Sequence, residues 1–259
     1  MRQRLLGTFL GQAALSLRDR YQLLTAGREV LGTLANDQLA GTMVARLVQD
    51  GGTFIDVGAH IGSIVAEVKR HQPGASIIAF EAIPEKAERL RAKFRDVRVE
   101  CCALSDRDGQ ASFFIDLARS GYSSLALGRG DVREIEVPLC RLDALVTAAD
   151  VIKIDVEGAE LGVLRGGAAL IEKTRPVIMF ESGPQEVLGY GKVDLWTFLD
   201  DRSYAVLIPN RLAHEAPGLT LDGFLDSHRY PRRTTNYFAV PAERLGDVRA
   251  QARRILQLD

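Results

Sequence analysis

Cysteine is scarce, neither sign of charge is in excess, and no apolar run is long enough to cross a membrane. Each absence closes off a class of function. Three cysteines among 259 residues, with Cys101 and Cys102 adjacent and no CxxC spacing, argue against a disulfide framework or a cysteine-built metal site. Strand alternation would send those neighbours to opposite faces, so they read as reduced, small core residues of a cytoplasmic protein. With 33 basic against 34 acidic side chains, the net charge of -1 offers no broad cationic face, so no nucleic-acid partner is expected. Near the start, Leu5, Leu6, Phe9, Leu10, Ala13, Ala14 and Leu17 recur at helical spacing with polar residues between them. That pattern is a one-sided amphipathic helix, not a signal peptide or a span. Its stripe is expected to pack on its own domain or on a second subunit as a homodimer, with peripheral membrane contact the alternative.

What is present is an ordinary globular composition, 46% hydrophobic and 26% charged, enough for one large α/β domain. Residues 1–50 read as three helices, the amphipathic one, about Asp19–Leu34 and about Asp37–Val48, with Asn36 or Asp37 a plausible N-cap for the third. They form an N-terminal helical extension. From Thr53 strands alternate with helices: TFIDV, SIIAF and VRVECCAL, with helices over Ile61–His71 and Pro84–Phe94 between them. This rhythm predicts parallel βαβ units and a doubly wound sheet. ASFFIDL and REIEVPL follow with no helix between them, which predicts an inserted antiparallel hairpin. Alternation then resumes with VIKID, a helix over Ala159–Glu172, PVIMFE, a helix near Val193–Asp200, YAVLI and NYFAV. The main domain is set at 51–241, and residues 242–259 form a C-terminal helix.

Ligands of open α/β sheets bind beyond the carboxyl ends of the strands, where the strand order reverses. The first such end is Asp56-Val57-Gly58-Ala59-His60-Ile61-Gly62. Gly58 permits a tight turn, and Gly62 lets a helix approach a ligand closely. Glu81 ends the second strand, 19 residues beyond Gly62, where a carboxylate can accept from two ribose hydroxyls. A dinucleotide loop has glycine where His60 stands, and Asp56 adds negative charge nearby. Both features suit a cationic cofactor with an amino-acid tail better than a pyrophosphate. The third end is IKIDVEGAE, with Asp155 closing the strand and Glu157, Gly158 and Glu160 opening the next helix. Glu160 is equally explained as a complement to the helix dipole.

DVGAHIG, IIAFEAIPE, CALSDRDG, VPLCRLDAL, IKIDVEGAELGVLRG and RPVIMFE stand in this order between about Gly51 and Pro241. Together they resemble the FkbM family of methyltransferases. The resemblance implies a Rossmann-like class I methyltransferase sheet of seven strands. It further implies S-adenosylmethionine as cofactor and a hydroxyl of a sugar, glycan or related natural product as acceptor. Asp56, Gly58, Ala59, His60 and Gly62 then match the methionine-side loop, and Glu81 with Ala82 the ribose segment. Cys102, Ala103 and Leu104 match the adenine flank, and Asp155 the acid beside the transferred methyl. A serine of the loop 120–130, Ser124, would reach the cofactor. The family commonly has Asn where His60 stands, which leaves the role of that residue towards the acceptor open.

For catalysis the candidates are Asp155, His60 and Glu157, with Asp155 orienting the acceptor and His60 as general base. No residue is assigned as a metal ligand, although Asp155, Glu157 and Glu181 could gather a divalent cation. The rival readings are a non-catalytic scaffold of the same fold and an NAD-dependent oxidoreductase. Three convergent carboxylates, at 56, 81 and 155, speak against the scaffold.

Overall fold

The computed structural model describes residues 27–116, 132–183, 191–229 and 232–258, with positions 17, 21, 24, 25 and 125. Seven strands form the main sheet. They are β1 (Thr53–Val57), β2 (Ser76–Phe80), β3 (Arg98–Glu100), β7 (Val151–Ile154), β8 (Val177–Glu181), β9 (Tyr204–Leu207) and β10 (Asn236–Pro241). Their order is β3-β2-β1-β7-β8-β10-β9, parallel except for β10, which runs antiparallel to both neighbours. The chain leaves β1 for β2 on one side and returns to β7 on the other. The β1/β7 boundary is therefore the switch point at which a crevice opens.

Alternation along buried strands sorts side chains into two cores, which is why these segments are apolar throughout. Phe54, Ala79, Val151, Val177 and Phe238 face one core, and Ile55, Ile78, Ile152, Ile178 and Ala239 the other. The first is covered by α1 (Arg28–Leu47), α2 (Ser63–His71), α3 (Pro84–Lys93) and α9 (Leu245–Leu256). The second is covered by α4 (Leu142–Leu145), α5 (Glu160–Gly166), α6 (Ala168–Thr174), α7 (Lys192–Asp200) and α8 (Leu221–Ser227).

Beside this sandwich lies a three-stranded sheet of β4 (Ala103–Leu104), β6 (Val132–Cys140) and β5 (Gly109–Asp116). The expected antiparallel hairpin is β5 with β6. VRVECCAL is not one strand, however. It divides at Cys101-Cys102, leaving β3 in the main sheet and β4 in the small one. All three cysteines are free, and Cys101 and Cys102, in the break between the two strands, pack against opposite cores.

The amino-terminal region departs from expectation in a second way. Residues 28–47 form one helix that passes straight through Asn36 and Asp37. Neither caps a helix, because tertiary partners satisfy both. Asn36 donates to the Arg233 carbonyl at 2.8 Å and accepts from the Asn210 amide at 3.1 Å. Asp37 accepts from the Asn236 side-chain amide at 3.0 Å. Met43, Val44 and Val48 are fully buried, so this helix is a core layer of the main domain. The helix expected over Ala159–Glu172 is two short ones. A Cβ on Gly166 would stand 1.9 Å from the Ser105 carbonyl oxygen, so only glycine lets α5 sit against that turn. The terminal helix opens with a 3-10 turn over Ala242–Arg244. Among the described residues, no helix is long and apolar enough to cross a membrane.

Candidate active site

A cavity of about 320 Å³ opens at the switch point, along the carboxyl ends of β1, β2, β7 and β8. Gly58 builds its first wall. It adopts φ +77°, and a Cβ there would lie 1.9 Å from the Asp155 carbonyl oxygen, so the β1 turn presses directly on the end of β7. Gly62, at φ +76°, leaves room for the Phe94 and Leu90 side chains under the turn.

The loop amides are spent inside the protein. Gly58 and Ala59 donate to the Phe80 carbonyl, Gly62 to the Ala59 carbonyl, and His60 to Glu81 Oε2 at 2.8 Å. None of these four remains to grip a pyrophosphate, the signature of dinucleotide loops. Glu81 also accepts from the Ile83 amide at 2.9 Å. The two amides fix its carboxylate at the cavity wall and leave a lone pair on each oxygen for hydroxyl donors. Burial raises its pKa, against the pull of those same amides.

The apolar side of the cavity comes from Ala82, Ile83, Cys102, Ala103, Leu104 and Phe113. Several of these form the small core beneath the β4-β6-β5 sheet, so the inserted hairpin serves as one wall of the site. Opposite stand Asp155, Glu157 and Glu181, each with a carboxylate oxygen within 4.8 Å of the others. Protein surrounds Asp155, yet 40% of its side-chain surface opens on the cavity. Burial would raise its pKa, but the Lys153 ammonium and a hydrogen bond from Glu181 hold it below the ordinary carboxylate value. Glu181 is pushed up to about 10 by burial and by the Asp155 charge, so it carries the proton of this pair. Glu157, in the left-handed conformation at φ +52°, is pushed up to about 7 by burial and then by Asp155 and Glu160. Glu160 lies behind the site, accepting from the Gly158 amide at 3.0 Å.

Most of the expected residues meet here. Gly58, His60, Glu81, Ala82, Cys102, Ala103, Leu104, Asp155 and Glu157 all line the cavity. Asp56, Ala59 and Gly62 do not. Asp56 pairs in register with Lys153 on the neighbouring strand, and its buried carboxylate lies 3.2 Å from the Lys153 ammonium. A charge placed mid-sheet needs that partner more than a ligand does. Ala59 and Gly62 shape the turn from within. Ser124 lies outside the described residues. Lys153, Ile83, Lys86 and Phe113 were not singled out from the sequence. Lys153 left a legible signal, a cation in a strand otherwise made of valine and isoleucine.

The donor set fits S-adenosylmethionine. Carboxylates suit its ribose and its positive sulfonium, and the apolar wall suits adenine. Asp155, Glu157 and Glu181 also lie close enough together to gather a divalent cation.

The shared proton makes stability depend on pH. Between its ordinary value near 4.5 and about 10, folded Glu181 holds a proton that the unfolded chain has released, so stability falls as pH rises through this range. Glu181→Gln mimics the protonated form, and its ligand-free Tm is expected to gain on the wild type as pH rises. The gain should build by up to about 1.4 kcal/mol for each pH unit above the ordinary carboxylate value, until the folded carboxyl itself ionises. Parallel Tm profiles for the two proteins would contradict the shared proton.

A model of the methyltransferase FkbM domain matches residues 56–206. The 2-O-methyltransferase NoeI of Sinorhizobium fredii (strain NBRC 101917 / NGR234) is 29% identical over 182 residues, covering 61% of this chain and 74% of that protein. Among solved structures, methyltransferase FkbM from Methylobacillus flagellatus KT aligns at 15% identity with a TM-score of 0.46. That alignment covers 80% of this chain, which spans 59% of the other's length. Aeropyrum pernix fibrillarin, in complex with natively bound S-adenosyl-L-methionine, aligns at 14% identity and a TM-score of 0.40, over 78% of this chain and 74% of its own. With the domain model spanning more than half of its residues, including the Gly58 turn, Glu81 and Asp155, the chain belongs to the FkbM family of S-adenosylmethionine-dependent methyltransferases.

Proposed function

We propose that this protein transfers a methyl group to a hydroxyl oxygen of a sugar, glycan or related natural product. The observation that carries the reading is the meeting of Asp155, Glu157 and Glu181 on the cavity wall opposite the apolar one. The relative named for 2-O-methylation supports the choice of oxygen. S-adenosylmethionine supplies, when bound, a methyl group on a sulfonium that an in-line nucleophile can displace. What the protein must add is alignment, exclusion of water and a place for the hydroxyl proton.

The three carboxyl groups divide that work by their charge states. Asp155 is held ionised and accepts a hydrogen bond from the incoming hydroxyl, which orients the oxygen. Glu181 keeps its proton and braces Asp155. Glu157, poised near neutrality, is the group able to take up the proton as the oxygen forms its new bond. His60 faces the same cavity and is the second candidate base. The reading requires no divalent cation. Free thiols at all three cysteines support a cytoplasmic location, and the net charge of -1 supports a small-molecule or glycan acceptor over a nucleic acid.

Assembly belongs to the same reading. Leu17, Tyr21 and Leu24 are exposed, and their spacing of four and three residues is that of one helical stripe. We take a second copy of the chain as the partner of this stripe. Sedimentation should show a dimer that Leu24→Glu dissociates; a monomeric wild type that binds anionic vesicles would favour a membrane surface instead.

Sugar nucleotides, free glycans and small hydroxylated metabolites, screened with S-adenosylmethionine and read by mass spectrometry, should yield an O-methylated product. On that acceptor, kcat/KM should rise as pH passes about 7, because the base works only when deprotonated. Glu157→Gln should lose that limb and slow kcat by about 10²-fold or more. Loss of the limb in His60→Ala but not in Glu157→Gln would move the base to His60. Methylation confined to nitrogen or carbon acceptors would overturn the proposal.

A further inference from the structure

The ammonium of Lys153 is buried and lies outside the lining of the cavity, yet it touches the groups on both sides of the switch point. It donates to the Gly58 carbonyl at 2.9 Å and approaches the Val57 carbonyl at 3.4 Å. It stands 3.2 Å from Asp56 Oδ1 and 3.4 Å from Asp155 Oδ2. We infer that Lys153 is a positioning residue, which fixes the Gly58 turn and the Asp155 carboxylate against each other from behind the cavity wall.

The plainer role is that of a counter-ion which allows Asp56 to be buried. That role accounts for one contact only. An ammonium has three donors, and here they fan out to the strand end, the turn and the neighbouring carboxylate. The bond to Gly58 has consequences further along the loop. Gly58 and His60 both hold left-handed conformations, at φ +77° and +51°, so the turn is strained and depends on its anchors. His60 in turn donates its amide to Glu81. Releasing the Gly58 carbonyl would therefore loosen Glu81 as well as Asp155. Lysine meets the demand because its long apolar stem can cross the core while its head serves several acceptors.

The inference rests on the reading of the cavity as the S-adenosylmethionine site, but its test needs no acceptor. Lys153→Met alone leaves Asp56 buried without a partner and can fail to fold. The double variant Asp56→Asn with Lys153→Met removes both charges together. Its ligand-free melting temperature should stay close to that of the wild type, while calorimetry should show S-adenosylhomocysteine binding weakened by at least about tenfold. Lys153→Arg keeps a cation with several donors and should recover affinity to within about threefold of the wild type. Wild-type affinity in the double variant would reduce Lys153 to a counter-ion and overturn the inference. So would an Arg variant that binds as weakly as the double variant. A wild-type protein that binds no S-adenosylhomocysteine would instead defeat the reading of the cavity.

Discussion

A single buried ammonium organises the charges around which this site is built. Lys153 sits in the second strand of the switch point with Asp56 beside it, Asp155 at its end and the Gly58 carbonyl above it. An isolated charge at this depth would be expelled or neutralised. Here two carboxylates flank the cation, and each justifies the burial of the other. Burying ions rarely stabilises a fold by itself, because desolvation consumes most of the attraction. What the arrangement yields is definition: Asp155 is ionised, Glu181 is protonated, and Glu157 is left near neutrality. Three carboxyl groups within 4.8 Å of one another thus hold three different charge states, a condition for dividing work among chemically similar residues.

The remainder of the architecture serves that crevice. Parallel strands on both sides of β1 bring the Gly58 turn, Glu81, Asp155 and Glu181 to one edge of the sheet. The small sheet closes the apolar side, with Phe113 and Ala103 shared between its core and the cavity wall. Helix α1 reaches across to the segment before β10 through Asn36 and Asp37, which ties the amino-terminal layer to the strand beside β8.

Much of this was legible in the residues. Hydrophobic periodicity located most of the strands of the main sheet, and the missing helix between β5 and β6 revealed the hairpin. The glycine turn, Glu81 and Asp155 announced themselves as polar or flexible residues at strand ends, where burial alone gives no reason for them. The failures have a common cause. Asn36 and Asp37 looked like a cap because capping is the local use of such side chains, whereas their real partners are nearly two hundred residues away. The pairing of Asp56 with Lys153 across the strands was equally hidden, because sheet register fixes it. In strands buried on both faces the apolar run is continuous, so long-range pairing leaves no periodic mark on the sequence. VRVECCAL divided for a related reason: its β propensity is uniform, and the choice between two sheets is made by neighbours from elsewhere in the chain.

The account depends on a cavity that receives a sulfonium nucleoside and refuses a pyrophosphate, since its loop amides are internally spent and its walls carry carboxylates. Equilibrium dialysis of the wild-type protein against S-adenosylmethionine and, separately, against NAD tests that claim most directly. Saturable one-to-one binding of S-adenosylmethionine with no retention of NAD is the predicted result. Retention of NAD, or of neither compound, would contradict it.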